Sequence, residues 1–272
     1  MTDISVIDKL AAPSGLLFLD GAMGTLLRTG ISVPSAHKAY IEAGADIIRT
    51  NTFDVTADSP LLCENAEIAV NVAEKYMSEF PGRRVFVAGS IGPTSILAQN
   101  QSDRNKLFAL FREKAIILAD CGVDLLIAET FFDYEVSANA LDGITSALSG
   151  RKDLPLIMSF YPRHDSCPGG DSVTDSLINL AVSAKVSAVG YNCFSEEPSL
   201  TIQRVRHLKQ QSQLPVFISP SAGIPDFTGH YPVSSKDFAA MFSAIKASAP
   251  ISGFGGCCGT TPEYIKAIKN IA

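Results

Sequence analysis

No stretch of this 272-residue chain is apolar and uncharged for long enough to span a bilayer. Its most apolar segment, Ala115 to Phe132, is broken by Asp120, Asp124 and Glu129, short of the ~20 residues a spanning helix needs. The N-terminus has early acids and no basic region leading into a continuous apolar core, so a secretory leader is not expected. Positive charge is scarce: 22 Lys and Arg stand against 28 Asp and Glu, a net charge of −6. A surface of that sign offers little grip on a phosphate backbone, so a nucleic-acid partner is excluded, as a membrane partner is. Charged residues of both signs make up only 18% of the chain while hydrophobic residues make up 46%, which permits a large core and excludes wholesale disorder. Linkers, low-complexity tracts and charge runs are missing too, and residues 1–272 are expected to form one domain. With no leader, a cytoplasmic setting is expected. There, six cysteines act as thiols or metal ligands rather than as disulfides.

What the chain does have is a repeated unit: a short apolar run ending in a small or functional residue, then a helical pattern. The runs are Leu16–Asp20, Asp46–Asn51, Val85–Ser90, Leu125–Thr130, Pro155–Phe160, Ala188–Cys193, Pro215–Pro220 and Ile251–Gly256. Runs that are apolar throughout suit strands buried on both faces, as parallel sheets require. Between them, Glu64–Phe80 and Arg104–Ala119 carry apolar residues along one stripe of a helix. Eight alternations predict a single (β/α)8 TIM barrel; a doubly wound open sheet fits the same pattern.

In a barrel the active site gathers where strands end. The run ends here are Asp20, Asn51, Gly89 with Ser90, Glu129, Tyr161, Cys193, Pro220, and Cys257 with Cys258. Carboxylates and thiols at four strand mouths are not what core filling produces.

The sharpest local motif is Gly255-Gly256-Cys257-Cys258-Gly259-Thr260-Thr261-Pro262. Adjacent cysteines point apart in extended backbone, so bringing both sulfurs to one point needs unusual dihedrals, which flanking glycines permit. Cys193 ends the sixth run, close in a barrel to the eighth. Three convergent thiolates with a vacant fourth position describe a catalytic zinc site, and soft donors favour zinc over magnesium or calcium. The alternatives are two small buried residues or a redox pair. Cys63, Cys121 and Cys167 lack this context and are expected to be incidental, as are His37, His164, His207 and His230.

Together the motifs resemble the homocysteine S-methyltransferase family. The segments that carry the resemblance begin with Asp20–Thr25, Glu42–Phe53 and Ala88–Thr94. They continue through Glu129–Asp133 and Gly190–Cys193 to Gly255–Ile265, in family order over nearly the whole chain. The resemblance implies a barrel that methylates the sulfur of homocysteine to give methionine. It puts Cys193, Cys257 and Cys258 on the zinc ligands, and Asp20 and Glu129 on the carboxylates that hold the substrate's ammonium group. Strand-end acids are independently suited to an amino-acid cation; taken singly, Asp20 also fits a turn and Glu129 an ion pair. Asn51 either orients substrate or makes a structural hydrogen bond. Asp20-Gly21-Ala22-Met23-Gly24-Thr25 is neither a dinucleotide fingerprint nor a phosphate loop. It is expected to be a tight strand-to-helix turn offering N–H groups to the substrate carboxylate.

Within the family, Glu129–Asp133 and Ser221–Asp226 look most similar to the homocysteine module of cobalamin-dependent methionine synthases. Those enzymes carry folate, cobalamin and reactivation modules for which this chain leaves no room after Cys258. The methyl donor is therefore expected to be methylcobalamin on a separate cobalamin-binding protein, or a small sulfonium compound. Two other functions fit: a silent homocysteine- or zinc-binding module acting only on a partner corrinoid protein, and a redox protein using Cys257 and Cys258.

Overall fold

The computed structural model describes residues 15–151, 154–162 and 172–272. All eight apolar runs form strands: β1 (Leu17–Phe18), β2 (Ile47–Arg49), β3 (Phe86–Ile91), β4 (Leu125–Phe131), β5 (Leu156–Phe160), β6 (Ala188–Asn192), β7 (Val216–Ser219) and β8 (Gly253–Phe254). Every pairing is parallel, in the order β1-β8-β7-β6-β5-β4-β3-β2. A parallel bridge from Leu19 to Ile47, with the Asp20 N–H donating to the Ile47 carbonyl at 2.9 Å, joins β1 to β2. That contact closes the ring. The fold is a (β/α)8 barrel, not a doubly wound open sheet.

Helices cover the outside: α1 (Met23–Leu27), α2 (Val33–Glu42), α3 (Leu61–Glu79), α4 (Gln101–Asp120), α5 (Tyr134–Leu148), α6 (Ser172–Ser183), α7 (Pro198–Ser212), α8 (Ser235–Ser248) and α9 (Pro262–Lys269). Their starts follow local chemistry. Ser32, Asn100, Asp133 and Ser234 each accept a backbone N–H three residues on, satisfying a donor that the first turn would leave unpaired. The stripe expected on α4 is buried at Leu107, Phe111, Ala115 and Leu118, whereas Phe108 remains on the exposed side. Among the described residues no helix is long and apolar enough to cross a membrane.

Period-two alternation in the strands divides the core in two. Outward residues such as Phe18, Ile48, Val87, Leu126, Met158, Val189 and Ile218 pack under the helices. Inward residues, among them Leu17, Leu19, Ile47, Phe86, Ala88, Leu125, Ile127, Ile157, Ala188 and Phe217, fill the barrel. Continuing the inward parity toward the strand ends gives Arg49, Ser90, Glu129, Ser159, Asn192 and Ser219, all buried and all polar. The interior thus changes from hydrocarbon to hydrogen-bonding groups at its C-terminal end. The polar layer forms the floor of the site.

Candidate active site

Two residues at the rim adopt the left-handed backbone region despite having a Cβ. Thr130 (φ 68°) lies at the end of β4, where its pairing with β5 shifts register, and Cys193 (φ 62°) follows β6. A β-branched residue there is a genuine outlier, costing of order 1–3 kcal/mol unless its surroundings fix it. Asn192 does so: its Oδ1 accepts from the Thr130 N–H at 2.9 Å and from Ser159 Oγ at 2.7 Å, and its Nδ2 donates to Thr130 Oγ1 at 2.7 Å. One buried amide therefore ties β4, β5 and β6 together next to the reversal at Cys193.

The second thiol-bearing loop turns after β8. Thr260 donates to the Cys257 carbonyl from both its N–H (3.1 Å) and its hydroxyl (2.7 Å). A Cβ on Gly256 would stand 2.2 Å from Thr260 Oγ1, and Gly259, at φ 82°, packs its backbone against the Tyr231 ring. Glycine is required at both positions, at the first for close approach and at the second for its dihedral as well. The result brings the sulfurs of Cys193, Cys257 and Cys258 within 4.8 Å of one another, with Cys193 Sγ and Cys258 Sγ 3.4 Å apart. Hydrogen bonds from Cys193 and then Cys257 bring the Cys258 thiol down to about 3, while Cys193, bonded to Cys257 and Cys258, is held protonated well above the ordinary thiol range. Three soft donors within reach of one another fit a dication with an affinity for thiolates, such as zinc.

Beside the sulfurs opens a cavity of about 460 Å³, lined by Asp20, Asn51, Ser90, Glu129 and all three cysteines. These are strand ends named by sequence. The others do not reach it: Tyr161 and Pro220 are not among its lining residues, and the missing side chain of Gly89 points outward at Leu126 and Leu118.

Arg49, at the end of β2, is the cavity residue that motif reading passed over. It is buried, and its Nε donates to Asp20 Oδ1 at 2.7 Å and its Nη1 to Glu129 Oε2 at 2.9 Å. Its Nη2 reaches the carbonyls of Asp20, Gly21 and Gly256, the last at 2.7 Å, and its N–H donates to Asp20 Oδ2. Ser90 Oγ supplies Glu129 Oε1 at 2.6 Å. Burial raises Asp20 to about 6 despite the attraction of Arg49, so the carboxyl is ionised at neutral pH but titrates easily. Burial works against the Arg49 charge too, yet Asp20 and Glu129 outweigh it and keep the guanidinium fully charged. A signal was available: an arginine at an inward position of an apolar strand must find counter-charges, and Asp20 and Glu129 are the inward-reaching acids.

The sequence model of the homocysteine S-methyltransferase family matches residues 17–272. This chain belongs to the homocysteine S-methyltransferase family. It is similar to the methionine synthases of Mycobacterium leprae (strain TN) and Mycobacterium tuberculosis (strain ATCC 25618 / H37Rv). Each is 27% identical over 252 residues, covering 85% of this chain and 20% and 21% of those proteins. The chain thus spans about a fifth of the length of the curated relatives it matches. In fold it is similar to the homocysteine methyltransferase MmuM from Escherichia coli. The apo form superposes with a TM-score of 0.77 at 24% identity, covering 97% of this chain and 100% of that one. The metallated form gives the same TM-score at 23% identity, covering 95% and 97%.

The remaining cysteines are not all isolated. Cys63 of α3 and Cys121, which caps the C-terminal end of α4, bring their sulfurs to 2.8 Å, with Glu67 Oε1 3.5 Å from Cys63 Sγ. Sequence treated them separately because 58 residues divide them. His37 is wholly buried with neither ring nitrogen hydrogen-bonded among the described residues, and burial lowers it to about 4. His207 pairs with Asp175 at 2.6 Å, and His230 is exposed. His164 and Cys167 lie outside the described residues.

Proposed function

We propose that this chain transfers a methyl group to the sulfur of homocysteine, giving methionine, with zinc held by Cys193, Cys257 and Cys258. What supports this reading above all is the convergence of three thiols on the wall of a cavity large enough for a small acceptor. When bound, zinc supplies Lewis acidity that lowers the pKa of an incoming thiol from near 8.5, giving a nucleophilic thiolate at neutral pH.

The chain's own residues then bind and orient. Asp20, Glu129 and the guanidinium between them form the polar floor against which the acceptor's charged end lies, and Asn51 contributes from the wall. Asn192 holds the reversal that aims Cys193, with its Nδ2 at 4.0 Å from Cys257 Sγ. Holding the acceptor sulfur in line with the donor methyl carbon converts a bimolecular encounter into a positioned one, the main source of rate in such a transfer. A sulfonium or cobalt leaving group departs without a proton, so no general acid is needed. The donor is methylcobalamin or a small sulfonium compound.

The test follows labelled methyl transfer to homocysteine with each donor, alongside bound zinc. Cys257→Ser is expected to lose both stoichiometric zinc and transfer. Zinc lost with transfer intact would overturn the mechanism. Homocysteine-dependent stabilisation without turnover under any donor condition would leave a binding module instead.

A further inference from the structure

Two thiols meet away from the barrel mouth, where the proposed reaction makes no use of them. Cys63 lies in the first turn of α3 and Cys121 caps α4, and their sulfurs are 2.8 Å apart. Both residues are half-buried, and neither lines the cavity at the mouth. Sequence proximity does not hold them together, since 58 residues divide them. The packing of two helix ends does.

The separation decides between the two things a thiol pair can do. Two thiolates on one zinc ion, each at about 2.3 Å and at a tetrahedral angle, stand about 3.8 Å apart. At the mouth, Cys193 Sγ and Cys258 Sγ are 3.4 Å apart, near that spacing. On the flank the sulfurs are closer than one ion would hold them. The third donor of that cluster is Glu67, exposed, with Oε1 3.5 Å from Cys63 Sγ. A disulfide sets its sulfurs at about 2.05 Å, so bonding needs an approach of less than about 1 Å. Cys121 lies past the last turn of α4, and the exposed Gly122 that follows has open space beside it.

We infer that Cys63 and Cys121 form a reversible disulfide, a clasp between the start of α3 and the end of α4 that closes on contact with a small-molecule disulfide. The exchange takes two steps. Cys63 loses its proton and attacks one sulfur of the oxidant RSSR, forming a mixed disulfide; the RS− released takes up that proton as RSH. Cys121 then attacks Cys63 Sγ, forming the Cys63–Cys121 bond and releasing a second RSH with its own proton. The two cysteines lose two electrons and the oxidant gains them. Burial, the Cys63 hydrogen bond and the carboxylates of Glu67 and Asp120 push the Cys121 thiol up to about 12. That assigns it the second step, after Cys63 has left the hydrogen bond. An exposed disulfide is also a labile one, so excess thiol reopens the clasp. The reduced pair makes one weak hydrogen bond, whereas the covalent bond restricts the unfolded chain across 58 residues.

The test treats the full-length, zinc-loaded protein with bis(2-hydroxyethyl) disulfide, which has no charge for Glu67 or Asp120 to repel. Trypsin cleaves after Arg49, Lys75, Lys114 and Arg151, so the two cysteines fall on separate peptides, 50–75 and 115–151, with no other cysteine on either. The expected product is these peptides joined, two hydrogens lighter than their sum and separated by dithiothreitol. Oxidation should raise Tm by on the order of 5 °C in the wild type, and not in Cys63→Ser or Cys121→Ser. Mixed disulfides that persist on either thiol without the joined peptide overturn the inference, as does an equal rise in Tm in both variants. Protection of both thiols from iodoacetamide by added zinc, with no joined peptide on oxidation, overturns it in favour of a metal site. The joined peptide is read from the wild type, so the matter is decided even where a serine variant does not fold. None of these readouts depends on methyl transfer.

Discussion

The barrel mouth and the barrel flank each bring thiols into contact, and they do so in different company. At the mouth, Cys193, Cys257 and Cys258 sit on loops held by Asn192 and Thr260, over a cavity floored by the ion pairs of Arg49 with Asp20 and Glu129. On the flank, Cys63 and Cys121 meet between two helices with one exposed glutamate, and neither lines the cavity at the mouth. His37, on α2, is lonelier still, with no partner for either ring nitrogen among the described residues. Proximity of donors is thus not what distinguishes a candidate site. The difference lies in the supporting network and the open space beside it.

Variants at the two places test that contrast. The largest expected effect is Cys257→Ser, which should abolish transfer and reduce zinc in the purified protein from one equivalent to a small fraction, measured by metal analysis. Retention of a full equivalent would mean the flank cluster, not the mouth, holds the metal. Next, Arg49→Met strands two buried carboxylates. Breaking a buried ion pair from one side costs roughly 3–5 kcal/mol, so the midpoint of urea unfolding should fall far more than for any flank substitution.

His37 gives an intermediate effect of a different kind. Its folded pKa lies below the unfolded value of about 6.5, so the stability it permits is present above that pH. As pH falls from about 6.5 toward 4 the unfolded chain takes up the proton first, and up to about 3 kcal/mol is lost. His37→Leu should flatten that part of the stability–pH curve; an unchanged slope would place the acid sensitivity elsewhere. Smallest of all, Cys63→Ser and Cys121→Ser should shift stability by no more than about 1 kcal/mol. Zinc content and transfer should stay unaltered, and any loss of transfer would erase the distinction drawn between the two clusters.

Much of this was legible in one dimension. Eight apolar runs became eight strands because a strand buried on both faces needs an unbroken apolar sequence, and the doubled cysteine announced itself through its glycines. Asp133 shows where motif and mechanism separate: it closes a family motif, yet its side chain caps α5. Arg49 was harder. Its neighbours Ile47 and Ile48 make it look like a strand residue, and only the inward parity of β2 reveals that its charge must be met inside the barrel. Asn192 and Thr130 were illegible for another reason, since a left-handed threonine and the amide that fixes it are 62 residues apart in sequence.

By itself, the sequence determined the eight-fold alternation, the acidic surface and the identity of the three thiols, because periodicity, charge and residue type are local properties. Only the tertiary structure decided that the ring closes, that Cys63 meets Cys121, and that Arg49 stands between Asp20 and Glu129. Those are contacts between distant segments, set by strand register and by the need of every buried charge for a partner.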